Sequence, residues 1–469
     1  MPKFVIIGAG PTGLGAARRL EEHGERDWLL FEADAVAGGL AKSIVDDAGF
    51  TWDLGGHVQF SHYKYFDRLM DELLPDGWLH HERESWVWIN QRFVPYPFQN
   101  NIWRLPEAER LECLKGIIRL YKNPPAGRPA HFADWIDRTF GEGLARVFMR
   151  PYNFKVWAYP PEEMQFGWVG ERVAVVDLER VVENVLLSRD DVSWGPNNTF
   201  RFPKRGGTGA VWRALSAKLP AERQRFDSRI ERIDTAAKRL HLAGGEAVEY
   251  QHLVSTMPLD LFVQRSDLAQ KHGAAAANLL HSSTHIFGLG LRGAPPEHLK
   301  TKCWMYFPED DCPFYRVTVF TNYSPNNAPD PASQWSLMAE VSESPRKPVD
   351  HARVFEEVIQ GALNTKLIAT RDDIVSTWCK RLEHGYPTPS LGRDAALGEL
   401  LPALMERGVY SRGRFGAWKY EVSNQDHSLM QGVEVVDHLL MGAPELTLWY
   451  PNTVNGPRPV KAGLDISNY

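Results

Sequence analysis

The sequence predicts an α/β fold on three observations. Gly8-Ala9-Gly10-Pro11-Thr12-Gly13 follows a short apolar run and opens a helical pattern over residues 14–20, the strand, glycine turn and helix order of a dinucleotide fingerprint. From 101 to 190, apolar residues recur at spacings of three and four, as in 111–121 and 178–187, which is the helical period. Around 283–342, β-branched and aromatic alternation takes over, as in 315–320, which argues for antiparallel strands. Together they describe a Rossmann-like unit interrupted by a helical insert and by an antiparallel β-sheet.

Phe4–Ile7 and Trp28–Phe31 are uninterrupted apolar runs, as parallel strands buried on both faces must be. Between them, the first glycine permits a tight turn, the second lets backbone approach a pyrophosphate, and the third lets the helix pack closely. The helix N-terminus then offers free amides and the positive end of its dipole to phosphates. Glu32 ends the second strand roughly 20 residues beyond the glycines, where a ribose-binding carboxylate belongs. Gly8, Gly10, Gly13 and Glu32 are therefore candidate dinucleotide contacts. Gly38-Gly39-Leu40 and Asp53-Leu54-Gly55-Gly56-His57 resemble the glycine clusters of the large flavoprotein family that includes amine oxidases, in which the chain passes close over a flavin. Arg205-Gly206-Gly207-Thr208-Gly209 lies where those flavoproteins return to the cofactor. The clusters point to FAD, with Gly39 among its contacts.

At 469 residues the chain exceeds the roughly 250–300 residues at which single cores stop growing. Residues 1–80, 203–258 and 410–469 are expected to form a discontinuous FAD-binding Rossmann-like domain, 101–190 a mainly helical domain, and 81–100 with 259–409 the antiparallel sheet domain. The Pro-rich joints 123–127 and 325–329 read as surface loops, and 432–440 as a helix.

Lys and Arg number 53 against 59 Asp and Glu, a net charge of −6, so the basic footprint of a nucleic-acid binder is missing. No apolar run nears the roughly 18 residues of a membrane helix, and the apolar N-terminal stretch is shorter than a signal peptide requires. The expectation is a cytoplasmic enzyme without membrane insertion. Cys113, Cys303, Cys312 and Cys379 have no metal-ligand spacing and read as reduced, buried cysteines with no metal. Sixteen Trp allow pockets lined with flat faces.

Longer blocks are more specific. Gly55-Gly56-His57-Val58 with 61–67, Val94-Pro95-Tyr96-Pro97-Phe98-Gln99-Asn100-Asn101, Arg150-Pro151-Tyr152-Asn153-Phe154-Lys155-Val156-Trp157, Lys302-Cys303-Trp304, 307–310, His384-Gly385-Tyr386-Pro387, Gly413-Arg414-Phe415-Gly416 and Asn424-Gln425-Asp426-His427-Ser428 closely resemble UDP-galactopyranose mutase of the eukaryotic type, over nearly the whole chain. The resemblance implies an antiparallel sheet of six strands. It implies His57 against the isoalloxazine as a catalytic residue, with Arg414, Asn424, Gln425 and Ser428 lining the flavin and sugar side. Tyr96, Phe98 and Gln99 match the uracil site. Catalytic Arg172 and Arg316, with Tyr306, Tyr386 and Tyr420, match the diphosphate clamp, and Asn153, Trp157, Asn197 and Trp304 match positions around the sugar. A diphosphate that leaves and returns needs fixed guanidinium donors. Two departures stand out: Ser193 where an Asn is usual, and Gln59 in place of an apolar residue.

The resemblance further implies a mutase that interconverts UDP-galactopyranose and UDP-galactofuranose through a covalent adduct between reduced-FAD N5 and the sugar, without net redox. NADPH or NADH would be the reductant and a UDP-sugar the substrate; no oligomeric state is implied. The alternatives are a mutase of the same mechanism acting on another nucleotide sugar, and an FAD-dependent oxidoreductase of the amine-oxidase type, whose substrate would not need a base site or two phosphate-clamping arginines.

Overall fold

The computed structural model describes residues 1–192 and 198–456. Five parallel strands form one sheet in the order Val409–Ser411, His252–Ser255, Phe4–Ile7, Trp28–Phe31 and Gln224–Arg225. Phe4–Ile7 lies in the middle and is buried throughout, which is why every position in it is apolar. Helices Pro11–Glu22, Gly209–Ala217 and Gln425–Met441 cover one face, packing with Phe4, Ile6 and Trp28. Helices Leu259–Gln264, Ala269–Ala276 and Arg393–Met405 cover the other, packing with Val5, Ile7 and Phe31. These three helices come from within 259–409, so part of that stretch packs on the parallel sheet.

Pro11–Glu22 and Gln425–Met441 touch backbone to backbone. A Cβ at Gly15 would stand 2.6 Å from the Leu429 carbonyl oxygen, and one at Gly432 would stand 2.0 Å from that of Thr12. The close crossing brings both helix N-termini to one cavity.

The helices Glu107–Lys122, Phe132–Leu144, Arg150–Trp157 and Leu178–Leu187 pack a second core that includes Cys113, Ile117, Phe140, Phe148 and Trp157 and is shared with Val87, Ile89 and Val94 of the second large sheet. The second large sheet orders its strands Ile374–Pro387, His281–Arg292, Gln334–Glu343, Arg316–Val319, Trp304–Tyr306, Ser85–Ile89 and Arg92–Pro95. It has seven strands where six antiparallel ones are expected, and one pair, Ser85–Ile89 with Trp304–Tyr306, is parallel. Ser85–Ile89 joins from far upstream without a hairpin to that neighbour, so no tight turn dictates its direction.

Two further expectations are corrected. Residues 325–329 are not simply a surface loop: Pro325–Asn327 is a 3₁₀ turn, and Asn327 and Ala328 are buried, with Asn327 Nδ2 donating to the Phe320 carbonyl at 3.0 Å. Cys379 is exposed while the other three cysteines are buried, because it lies on the outermost strand of the seven. Among the described residues no helix is long and apolar enough to cross a membrane.

Candidate active site

A cavity of about 940 Å³ runs from the loops after Phe4–Ile7 and Trp28–Phe31 to Trp304, Tyr306, Arg316 and Glu340 of the seven-stranded sheet. Ligands of open α/β sheets bind at the carboxyl ends of the strands in this way. At the strand end, a Cβ on Gly10 would meet no protein atom nearer than 3.8 Å. Nothing in the protein demands a glycine there, so the reason for it is the cavity that it lines. Pro11–Glu22 begins with no side-chain cap and no acidic residue in its first turn, which leaves its amides and dipole for an anion. The carboxylate of Glu32 accepts from Ala9 N at 2.7 Å and from Asp34 N at 2.9 Å and is thereby fixed on the cavity wall. An uncapped helix end beside a held carboxylate is a donor set that fits a dinucleotide cofactor.

Gly8, Gly10, Glu32, Gly39, His57, Arg414, Gln425 and Ser428 all line this cavity. Gly13 does not: its Cβ would collide with the Gly8 carbonyl oxygen at 1.9 Å, so it serves the packing of turn on helix. The cluster 205–209 is also corrected, because none of it reaches the cavity. Thr208 N donates to Asp53 at 3.2 Å, Ser43 Oγ donates to the same carboxylate at 2.5 Å, and Gly209 N donates to Ser43 Oγ at 2.8 Å. The cluster braces Asp53, the residue that leads into Leu54-Gly55-Gly56-His57.

His57 feels two cations. Burial, with Arg414 and Arg316 nearby, pushes its imidazole down to about 3, so the ring is neutral near pH 7. Its buried Nδ1 has no hydrogen-bond partner among the described residues.

Three guanidinium groups converge around Tyr386 and Tyr420. Arg172 lies 5.4 Å from the Tyr420 ring centroid, and Arg414 lies 4.9 Å from that of Tyr386 and 5.8 Å from that of Tyr420. Arg414 donates to Ser423 Oγ at 2.9 Å and to the Gly385 carbonyl at 3.2 Å, and its burial lowers its proton affinity. Arg172 Nη1 is buried without a partner among the described residues. Arg316 is different, since its Nε and Nη2 grip both oxygens of Glu340 at 2.9 and 2.8 Å. The cavity therefore carries more positive than negative charge at this end, as an anion site requires.

Tyr96, Trp304, Tyr306, Tyr386, Tyr420 and Asn424 line the same cavity. Tyr306 packs edge-on to Tyr96 with centroids 5.4 Å apart and accepts a hydrogen bond from Trp304 Nε1. Phe98, Gln99, Asn153 and Trp157 sit behind that wall and do not line it. Phe98 packs on Phe148 at 4.5 Å, and Trp157 supports Tyr420 edge-on at 4.8 Å. Asn153 Nδ2 donates to the Met149 carbonyl at 2.7 Å. Gln99 donates to the Ala174 carbonyl and leaves its buried Oε1 unpartnered. Asn197 and Ser193 lie outside the described residues.

Sequence reasoning missed Glu340 and Asp426, both of which line the cavity. Glu340 also accepts from Tyr315 Oη at 2.6 Å and from Gly56 N at 3.0 Å. Its signal was a carboxylate inside the apolar run 337–341, paired in register with Arg316 on the neighbouring strand.

The model of the flavin containing amine oxidoreductase family matches residues 11–284. A crystal structure of reduced UDP-galactopyranose mutase is 52% identical over 97% of this chain and 98% of that one, with a TM-score of 0.95. A CLA-producing fatty acid isomerase from P. acnes shares the fold at 16% identity and a TM-score of 0.63, over 94% of this chain and 99% of that one. A Baeyer-Villiger monooxygenase from Pseudomonas aeruginosa is 45% identical over 56 residues, only 12% of this chain and 10% of that protein. With half its residues shared along almost the whole length, and with the glycine groove and arginine cluster in one cavity, this chain belongs to the UDP-galactopyranose mutases, within the flavin containing amine oxidoreductase family.

Proposed function

We propose that this chain interconverts UDP-galactopyranose and UDP-galactofuranose on bound FAD, as a mutase of the eukaryotic type, with no net redox. The observation that carries the reading is the convergence of Arg172, Arg316 and Arg414, ringed by tyrosines, on the cavity that begins at the uncapped helix of the glycine fingerprint. Bound FAD, once reduced, would supply the nucleophile of the reaction. Gly8, Gly10, Gly39 and Glu32 would hold its adenosine diphosphate portion, and His57, Arg414, Gln425 and Ser428 its ring end. Arg172 and Arg316 hold the departing and returning diphosphate, Tyr306, Tyr386 and Tyr420 orient it, and burial keeps water from intercepting the sugar. His57 cannot serve as a cationic acid near pH 7, because burial and two arginines keep it neutral. Tyr96 would face the uracil, with Phe98 and Gln99 behind it in the same base site, while Trp304 and Asn424 would face the sugar with Asn153 and Trp157 behind them; Asn197 belongs to the sugar side of the same reading.

NADPH or NADH would reduce the flavin before the first turnover, in the cytoplasm. The division into 1–80, 203–258 and 410–469, then 101–190, then 81–100 with 259–409, belongs to the same reading, with helices of 259–276 and 393–405 packed on the first unit. The test is turnover of UDP-galactofuranose by holoenzyme in an anaerobic vessel after chemical reduction. Many conversions per flavin to a product of unchanged mass are expected, and oxidised enzyme should be inactive. Consumption of one acceptor per sugar would make it an oxidoreductase, and turnover of a different UDP- or GDP-sugar alone would reassign the substrate.

A further inference from the structure

The stretch from Leu54 to Tyr63 carries His57 into the cavity without a helix or strand of its own beyond one β-bridge, in which the Gln59 and Arg201 backbones exchange hydrogen bonds at 3.0 and 2.9 Å, so its position depends on bonds to other elements. Buried carboxylates supply three of these. Asp53 fixes the start through Ser43 and Thr208. Glu340 accepts from Gly56 N at 3.0 Å. Asp426 fixes the end: its Oδ2 accepts from His62 N at 3.1 Å and lies 2.7 Å from His62 Nδ1. Between them, Gln59 Nε2 donates to Gln425 Oε1 at 3.0 Å.

Asp426 differs from the other two in the element that carries it. It stands between Gln425 and Ser428 in the first turn of Gln425–Met441, and those two line the cofactor groove. One helical turn thus faces the groove and also grips the His57 stretch. We propose that Asp426 is a positioning residue for the mutase reaction, acting through His62 to set where His57 stands relative to the groove.

The inference rests on the FAD and mutase reading above. Asp426 is 1% exposed. Burial alone would raise its carboxyl, but the adjacent His427 and His62 hold it well below the ordinary carboxylate range. Its links to His62 are therefore charge-assisted. His427 Nδ1 stands 3.3 Å from Asp426 Oδ1, the Tyr63 ring meets His427 edge-on at 5.7 Å, and Asp67 and Arg172 are the more distant charges that feel the cluster. A buried ionised carboxylate costs stability unless its partners compensate. A merely space-filling position would be served as well by an amide.

The experiment compares holoenzymes carrying Asp426→Asn, His62→Asn, and both. The amide keeps the shape and can still accept from His62 N, but it loses the charge. Each single variant should retain FAD, lose about tenfold in kcat with KM within about twofold, and shift both the flavin midpoint potential and the absorption envelope of oxidised flavin. The double variant should be no worse than either single one, because the two residues act as a unit. Additive losses would overturn the proposal, as would a lowered melting temperature with kcat, potential and spectrum unmoved. If Asp426→Asn does not fold, His62→Asn alone decides: shifted potential and kcat support the inference, and unchanged values sink it. Potential and spectrum are read without substrate. Failure of the wild-type enzyme to convert UDP-galactofuranose would therefore count against the mutase reading and leave the test of positioning intact.

Discussion

Arg172 Nη1 is buried with no partner among the described residues, a state that costs a charged donor on the order of 1–3 kcal/mol or more. A phosphate oxygen would relieve it, so the price of the orphaned donor is recovered only when substrate binds. Arg172→Ala should therefore keep FAD and lose about ten- to a hundredfold in turnover, the equivalent of one charge-assisted bond. Arg172→Lys should recover little, because an ammonium cannot reproduce a planar fork stacked on Tyr420. Steady-state rates with flavin content measured on the same samples check both. Gln99 poses the same question for a neutral group, since its amide nitrogen is committed to Ala174 while Oε1 stays unpartnered. Calorimetry should find UDP bound up to about tenfold more weakly by Gln99→Leu, the scale of one neutral hydrogen bond, with FAD binding unchanged. Equal UDP affinity would remove Gln99 from the base site.

Helix Gln425–Met441 shows how one element is read differently from sequence and from structure. The sequence offers a helix over 432–440, whereas the structure begins it at Gln425. Its first turn is polar because it faces the cavity and the His57 stretch, and a periodic apolar signal cannot mark such a turn. Further along, Glu434 is 1% exposed and accepts from Thr447 N and Oγ1 at 2.8 and 2.7 Å. Burial, with Glu445 and Asp437 nearby, raises its carboxyl from 4.5 to about 8. As pH rises above 4.5 the unfolded chain releases this proton while the folded chain keeps it until about 8, so the folded state loses stability across that interval. Glu434→Gln should flatten the decline, gaining on the wild type between pH 5 and pH 8 in urea unfolding at a series of pH values. Parallel curves would show that Glu434 does not titrate in this window.

For the molecule as a whole, the sequence revealed most where local rules dominate: the glycine fingerprint, the buried strands Phe4–Ile7 and Trp28–Phe31, and the helix Leu178–Leu187. It revealed least where partners come from distant segments. Glu340 gains its meaning only through register with Arg316, and residues 205–209 read as cofactor contacts until Asp53 is seen against them. The cavity itself is a long-range product, walled on one side by the parallel-sheet loops at Gly10, Glu32 and Gly39 and on the other by Trp304, Arg316 and Glu340. Whatever fills it is bound by both sheets in the folded chain and by neither in the unfolded one. Free FAD should then stabilise by mass action, about 2.7 kcal/mol at a hundredfold excess over its dissociation constant. Apoprotein prepared by mild removal of flavin should melt below the holoprotein, and its melting temperature should climb with the logarithm of added FAD. Gly10→Ala should weaken that climb while leaving the apoprotein melt nearly unchanged, because a Cβ there meets no protein atom nearer than 3.8 Å. If the variant melted like the wild-type holoprotein in the presence of FAD, the pyrophosphate could not lie against Gly10, and the cofactor would have to be seated elsewhere in the cavity.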